Sequence, residues 1–445
     1  MQKRYFGTDG IRGRAGEPPI TAEFMLRLGR AAGKVFAGDD HATVLIGKDT
    51  RISGYMLESA LEAGLASVGA DVLLLGPMPT PAVAWLARTL GGSAGIVISA
   101  SHNPFWDNGI KFFSRQGEKL DDAVELAIEQ ALEEAPTNVA PARIGRAQRV
   151  DDAALRYAQS CIDAVPGLDL SGMHVVLDCA HGATYQIAPK IFADLGARVQ
   201  SIGVQPDGLN INRDCGATHP AALQAAVLQH GADIGIAFDG DGDRVQMVDH
   251  TGALADGDDL LFILTADRHA HGLLRGPVVG TLMTNFGVES AITALGATFL
   301  RANVGDRHVL QALREHDGVL GGEASGHLLC LDHASTGDGI LSALLVLDVL
   351  RRNSTSLAQA RSGLRRLPQI TLNLPLSGGA LLLARQPVVA AREDVERTLR
   401  GRGRVVLRAS GTEPLVRVTV EGEDGDEVRQ LARSLAAVVE STALS

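Results

Sequence analysis

Cysteine is sparse and scattered in this chain. Cys161, Cys179, Cys215 and Cys330 lie far apart and form no CxxC pair, which argues against a zinc site or a disulfide framework and for a reducing compartment. No apolar run reaches the length of a membrane span, and the first residues, Met1 to Phe6, lack the apolar core of a signal peptide. No membrane association is therefore expected, and a cytoplasmic location is. Positive charge is also in deficit: 41 Lys and Arg stand against 52 Asp and Glu, a net charge of -11. That balance argues against a nucleic-acid partner, and any anionic ligand must find its cations gathered locally. Nucleotide loops are missing as well. Gly33-Lys34 is followed by Val35 and Gly47-Lys48 by Asp49, so neither completes a Walker A loop, and no GxGxxG opens a helix after a strand. Gly91-Gly-Ser-Ala-Gly95 fits the GxSxG hydrolase elbow only as letters, because it lies after a helix and before a strand.

What is present is a long run of alternating strand and helix signals. At 445 residues the chain exceeds what one core supports, so several domains are expected. A helix pattern runs from Thr21 to about Phe36, followed by strands at Thr43–Gly47 and Val72–Leu75, helices near 55–69 and 82–90, and an apolar strand at Ile96–Ile98. A second alternating unit holds strands at Val175–Asp178, 198–202 and Ile234–Phe238. A third ends a strand at Leu320. From about 367 the pattern changes to a smaller α+β arrangement. This predicts an α/β protein of three similar units with parallel or mixed sheets, at 1–148, 149–250 and 251–366, and a smaller C-terminal α+β unit at 367–445. The alternation itself points to parallel sheets with right-handed crossovers. Each unit ends a strand in a polar, glycine-containing loop, and the four loops are expected to meet in a central cleft.

The first loop is Ser99-Ala-Ser-His-Asn-Pro104, continuing through Asn108-Gly-Ile-Lys-Phe-Phe113. It offers two hydroxyls, an imidazole and the Lys111 cation where an α/β strand delivers reacting groups. The second is Asp239-Gly-Asp-Gly-Asp-Arg244. Carboxylates at every second position point to one side of an extended backbone and suit Mg²⁺, a hard ion that prefers oxygen. An EF-hand fails, since position 6 is Arg244 and position 12 is His250. The third, Gly322-Glu-Ala-Ser-Gly-His327, supplies groups suited to sugar hydroxyls. The fourth, Arg408-Ala-Ser-Gly-Thr-Glu-Pro414 with Arg417, has the composition of a phosphate clamp. Near the start, Phe6-Gly-Thr-Asp-Gly-Ile-Arg-Gly13 provides a flexible backbone that lets Arg12 approach an anion.

With these four motifs in this order, the chain resembles the α-D-phosphohexomutase superfamily over essentially its whole length. Phe6–Gly13, Asn103–Phe113 and Arg301-Ala-Asn-Val-Gly-Asp-Arg307 look most like the bacterial members that interconvert glucosamine 6-phosphate and glucosamine 1-phosphate. The resemblance implies a phosphorylated nucleophile at Ser101. It implies one Mg²⁺ per chain on Asp239, Asp241 and Asp243, shared with the Ser101 phosphate. Sugar contacts fall on Glu323 and Ser325, with His327 closing that motif, and the distal phosphate falls on Arg408, Ser410, Gly411, Thr412 and Arg417. Arg12, His102, Lys111 and Arg244 match positions around the transferring phosphate, and Lys111 and His102 both remain open as the acid or base. Glucosamine 1,6-bisphosphate is the implied intermediate and activator, and a small phosphosugar the implied partner. Two departures are that His181 stands where the superfamily often has Asn and that Ala324 fills a variable slot. Mannose or glucose specificity within the class, or a Mg²⁺-dependent sugar phosphatase, stand as alternatives. The oligomeric state is left open, a homodimer among the options.

Overall fold

The computed structural model describes residues 3–38, 41–376, 379–409 and 415–444. Helix Ala22–Ala37 begins where its sequence allows: the Thr21 side chain accepts from the Phe24 N–H at 3.2 Å, and Phe24, Met25, Leu28, Ala31 and Ala32 form its buried stripe. The first sheet has six strands, in the spatial order Ile11–Arg14, Asp107–Ser114, Ala94–Ile98, Thr43–Lys48, Asp71–Pro77 and Ala147–Arg149. The second has five: Leu254–Ala255, Val245–Asp249, Ile234–Phe238, His174–Asp178 and Arg198–Ile202. The third has four, Phe299–Ala302, Val278–Thr281, Leu320–Gly322 and Leu328–Cys330. The last sheet is antiparallel throughout, with Val416–Gly422 between Gln369–Leu374 and Gly403–Ala409.

The α/β class is as expected, and of the parallel or mixed sheets expected the first three are mixed. In each of the first three units the strand that delivers a motif loop is followed by an antiparallel return: Ala94–Ile98 by Asp107–Ser114, Ile234–Phe238 by Val245–Asp249, and Leu320–Gly322 by Leu328–Cys330. In the fourth, Gly403–Ala409 is answered by Val416–Gly422. The motif loops are thus hairpin connections, gripped by paired strands at both ends, rather than the openings of crossover helices. This also explains two strands that the apolar periodicity does not reveal. Ile11–Arg14 and Asp107–Ser114 are interrupted by Gly13 and Gly109, yet pair residue for residue, Arg12 opposite Gly109.

One apolar cluster runs through the first three units, from Val97 and Phe113 past Tyr157, Ile191 and Phe238 to Leu260, Leu320 and Leu344. The fourth unit has its own core, built on Leu374, Val388, Val418 and Leu435. Between the third and fourth units the join is polar: Arg404 pairs with Glu421 at 3.0 Å and donates to the Thr284 carbonyl at 2.8 Å, while Glu421 accepts from the Phe286 N–H at 2.9 Å. Among the described residues no helix is long and apolar enough to cross a membrane.

Candidate active site

Ser101 sits at the tip of the first hairpin with φ 52°, in the left-handed region that a serine rarely occupies. Its side chain is buried, and its Oγ donates to Asp239 Oδ2 at 2.6 Å and lies 3.3 Å from His102 Nδ1. Lys111 comes from the return strand of the same hairpin, opposite Val97. Its ammonium donates to Asp241 Oδ2 at 2.8 Å and Asp243 Oδ2 at 3.2 Å, and lies 3.3 Å from Asp9 Oδ2. Two sequence motifs more than a hundred residues apart therefore meet in a single buried cluster.

The three aspartates converge, though not by the alternation of an extended strand. The backbone from Asp239 to Asp243 is a turn, closed by Gly242 N–H donating to the Asp239 carbonyl at 3.1 Å, with Gly242 at φ 72°. Folding the segment over is what brings one oxygen of each carboxylate within 4.8 Å of the others. Asp241 Oδ1 and Asp243 Oδ1 are buried and accept no hydrogen bond. A set of hard oxygen donors with lone pairs left over, at this spacing, fits a divalent ion such as Mg²⁺.

The electrostatics follow from this crowding. Burial, and then the charges of Asp243 and Asp241, push the Asp239 carboxyl well above the usual carboxylate range. For Asp243 burial works in the same direction, but Lys111 and His327 overcome it and hold the carboxyl well below that range. Lys111 is buried too, which opposes its charge. The carboxylates of Asp241, Asp243 and Asp9 outweigh burial and raise its pKa well above that of a free lysine. His102 moves the other way, to about 4, through burial first and then the Arg244 and Arg12 guanidiniums.

Above this cluster opens a cavity of about 450 Å³, lined by Arg12, Asp243, Arg244, Asp306, Glu323 and His327 among others. Arg12 lies on strand Ile11–Arg14 and pairs with Asp9. Arg244 donates its backbone N–H to Asp239 Oδ1 at 3.2 Å. In the third loop Glu323 Oε1 accepts from the Gly305 N–H at 3.0 Å, and Ser325 Oγ is buried with no hydrogen-bond partner. His327 stands between Asp243 Oδ1 at 3.7 Å and Asp306 Oδ2 at 3.5 Å. Burial opposes its charge, but these two carboxylates raise its pKa above the ordinary histidine value.

The described residues that line the cavity come from the first three units. In the fourth, Arg408 and Arg417 face each other in register on paired strands, and burial followed by the Arg417 charge lowers the pKa of Arg408. Ser410, Gly411 and Thr412 lie outside the described residues. A larger hollow of about 1030 Å³, lined by Met173, His250, Arg351 and Thr355 among others, contains none of the motif groups.

Several participants carry no motif signal. Thr80, at the start of helix Thr80–Thr89, donates its hydroxyl to Asp241 Oδ2 at 2.6 Å. Lys119 joins the first unit to the third, at 2.6 Å from Asp9 Oδ1 and 2.5 Å from Asp306 Oδ2. Arg51 is fully buried against Asp49 and reaches the Ser101 carbonyl at 3.1 Å. For Arg51 a signal exists: Lys48–Gly54 is a polar loop at the end of a strand, like the four motif loops. His181 has φ 51°, in the left-handed region where His, like Asn and Asp, is found more often than most residues.

Matches to known proteins agree with this arrangement. The four phosphoglucomutase/phosphomannomutase domains match in order: α/β/α domain I over residues 3–138, α/β/α domain II over 156–252, α/β/α domain III over 256–366 and the C-terminal domain over 372–438. The chain belongs to the phosphoglucomutase/phosphomannomutase family. It is 58% identical over 441 residues to the phosphoglucosamine mutase of Alkalilimnicola ehrlichii, covering 99% of this chain and 98% of that one. It is 57% identical over 440 residues to that of Azotobacter vinelandii, covering 99% of both. Solved structures share the fold. A phosphoglucomutase/phosphomannomutase family protein from Burkholderia thailandensis superposes with a TM-score of 0.81 at 23% identity, covering 98% of this chain and 97% of that one. N-acetylphosphoglucosamine mutase from Aspergillus fumigatus, solved in complex with GlcNAc-6P and magnesium, gives a TM-score of 0.69 at 18% identity, covering 99% and 96%.

Proposed function

We propose that this chain is a phosphoglucosamine mutase, an isomerase that interconverts glucosamine 6-phosphate and glucosamine 1-phosphate through a phosphoserine enzyme and glucosamine 1,6-bisphosphate. The observation that carries the reading is the Ser101 hydroxyl donating at 2.6 Å into the aspartate trio beneath a sugar-sized cavity, in a chain 57–58% identical along its length to relatives of that name. Four units, divided near 148, 250 and 366, each contribute one loop to a shared cleft in this reading.

Phosphoserine 101 transfers its phosphoryl group to O1 of the 6-phosphosugar: the Ser Oγ–P bond breaks as the O1–P bond forms, and the hydroxyl proton of O1 is released. The bisphosphate turns end for end, its 6-phosphate returns to Ser101, and glucosamine 1-phosphate departs. Asp239, Asp241 and Asp243 would hold one Mg²⁺ together with the Ser101 phosphate. When bound it supplies positive charge to the transferring phosphoryl oxygens. Arg12, Arg244 and Lys111 add fixed cations around the same group, the preorganised electrostatics that this reaction class depends on. His102 is neutral at pH 7 and can accept the sugar proton, whereas Lys111 is held charged and can donate a proton or balance charge. Glu323, Ser325 and His327 meet the sugar, and the buried unpartnered Ser325 hydroxyl suits a substrate hydroxyl. Arg408 and Arg417, with Ser410, Gly411 and Thr412, take the distal phosphate. A cytoplasmic enzyme acting on a small phosphosugar, as a monomer or homodimer, fits this role.

The test is turnover with glucosamine 6-phosphate, mannose 6-phosphate and glucose 6-phosphate, each with a trace of hexose 1,6-bisphosphate. Glucosamine 6-phosphate should give the highest kcat/KM. A preference for mannose or glucose phosphate moves the chain to a sister specificity, and stoichiometric release of inorganic phosphate makes it a phosphatase.

A further inference from the structure

The strained turn at Ser101 is held by groups from two different units. The carbonyls of Ser101 and Asn103 both point to the same place, and each accepts twice. Arg51, from the first unit, donates through Nη2 to the Ser101 carbonyl at 3.1 Å and to the Asn103 carbonyl. Asn212, from the second unit, donates through Nδ2 to the same two carbonyls at 2.9 and 3.1 Å. Neither donor is free to wander. Arg51 is tied to Asp49, whose Oδ2 also accepts from Ser99 Oγ at 2.5 Å, and Ser99 Oγ in turn accepts from the Ser101 N–H at 2.9 Å. Asn212 is itself left-handed at φ 57°, with its backbone N–H on the Ala180 carbonyl at 2.9 Å. The space around the four groups is filled, since a Cβ at Gly240 would stand 2.6 Å from the Ser101 carbonyl and 2.7 Å from Asn212 Nδ2.

A serine in the left-handed region is disfavoured and persists only where its surroundings over-determine it. Here two carbonyl acceptors and two anchored donors do so, and the consequence is the orientation of Oγ. Gly240 and Asp239 belong to the turn that receives Ser101 Oγ, so Asn212 fixes the nucleophile's loop to the unit carrying the aspartates. We infer that Asn212, acting with Arg51, is a positioning residue for the phosphoryl-transfer step: it touches no reacting atom, and sets the angle at which Ser101 Oγ faces the aspartate trio. This inference rests on the proposed mutase reading.

The experiment compares wild type, Asn212→Gly and Asn212→Asp. Glycine keeps the left-handed backbone without strain and removes the whole amide side chain, the donor with it. Aspartate keeps shape and volume but turns acceptor oxygens toward two carbonyls. For each folded, full-length protein, kcat and KM for glucosamine 6-phosphate are measured alongside the rate at which Ser101 gains phosphate from glucose 1,6-bisphosphate. Misplacing a reacting group by about 1 Å costs roughly 100-fold, so kcat and the phosphorylation rate should fall by about that factor in the glycine variant, with KM little changed. The isosteric aspartate should be the slower of the two, which a mere space-filling role would not produce. Wild-type kcat in the glycine variant, an aspartate variant faster than the glycine one, or a loss expressed in KM alone overturns the inference. Absence of turnover in the wild type would instead overturn the mutase reading, so the two failures are distinguishable.

Discussion

Thr80 and Asp241 are joined twice: the Thr80 hydroxyl donates to Asp241 Oδ2 at 2.6 Å, and the Thr80 N–H donates to the Asp241 carbonyl at 2.8 Å. The first residue of a helix in one unit thus fixes both the backbone and the side chain of the middle aspartate in another. Thr80→Val keeps the shape and the backbone bond and removes the hydroxyl donor alone. Outer-shell partners of this kind are worth about 10–100-fold in metal affinity. The Mg²⁺ concentration for half-maximal turnover should rise by a factor in that range while the saturated kcat changes far less. An unchanged Mg²⁺ titration would remove Thr80 from the account.

Lys119 is a half-buried cation between the first and third units; burial raises the carboxyls of Asp9 and Asp306, and Lys119, together with Lys111 at Asp9, outweighs it and lowers both. Lys119→Met removes the counter-ion shared by two half-buried carboxylates, which keep Arg12 and Lys111 beside Asp9 and His327 beside Asp306, so the cost should fall below the roughly 3–5 kcal/mol of a fully buried pair broken at one end. The melting temperature should drop at pH 7.5, and the deficit should narrow only as pH falls below about 4, where the carboxyls that Lys119 helps hold low take up protons in the wild type as well. A pH-independent deficit would point to packing rather than charge.

Asp258 lies buried in the first turn of helix Gly257–Ala270, and burial followed by the Asp256 charge pushes its carboxyl up to about 7. Because the folded value exceeds the unfolded one, the fold favours the protonated form. Stability from this group is therefore full below the unfolded value near pH 4 and declines as pH rises through the folded value. Asp258→Asn keeps an acceptor for the Asn285 N–H and removes the ionisation. The variant should gain on the wild type as pH rises from 5 to 8, by about 2–3 kcal/mol, since roughly two pH units separate 5 from the folded value near 7 at 1.36 kcal/mol each. Parallel melting curves across that range would contradict the assignment.

Much of this molecule is legible in its residues because the signals are local. The strands at 198–202 and Ile234–Phe238 fall where apolar periodicity and flanking polar turns put them, and Thr21 caps its helix as its type suggests. Ser101, Lys111 and the three aspartates, each flagged by a motif, lie in one cluster. What stayed hidden is tertiary. Arg51, Thr80, Asn212 and Lys119 matter through partners between 50 and 190 residues away, and no spacing rule encodes such meetings. The return strand Asp107–Ser114 is hidden for another reason: Gly109 breaks its two-residue period. The aspartate loop misled in a third way, since alternation with glycine reads as extended backbone, while glycine is also the residue that lets the chain turn back at Gly242.

The central claim is that Ser101 carries the phosphoryl group. Wild type and Ser101→Ala are incubated with glucose 1,6-bisphosphate and Mg²⁺, then examined by intact-mass and peptide mass spectrometry before and after addition of glucosamine 6-phosphate. The account predicts one added phosphoryl group on Ser101 of the wild type, lost to the sugar on its addition, and none on a folded Ser101→Ala protein that lacks mutase turnover. A wild type that never gains phosphate at Ser101, or a Ser101→Ala protein that turns over at the wild-type rate, would contradict it.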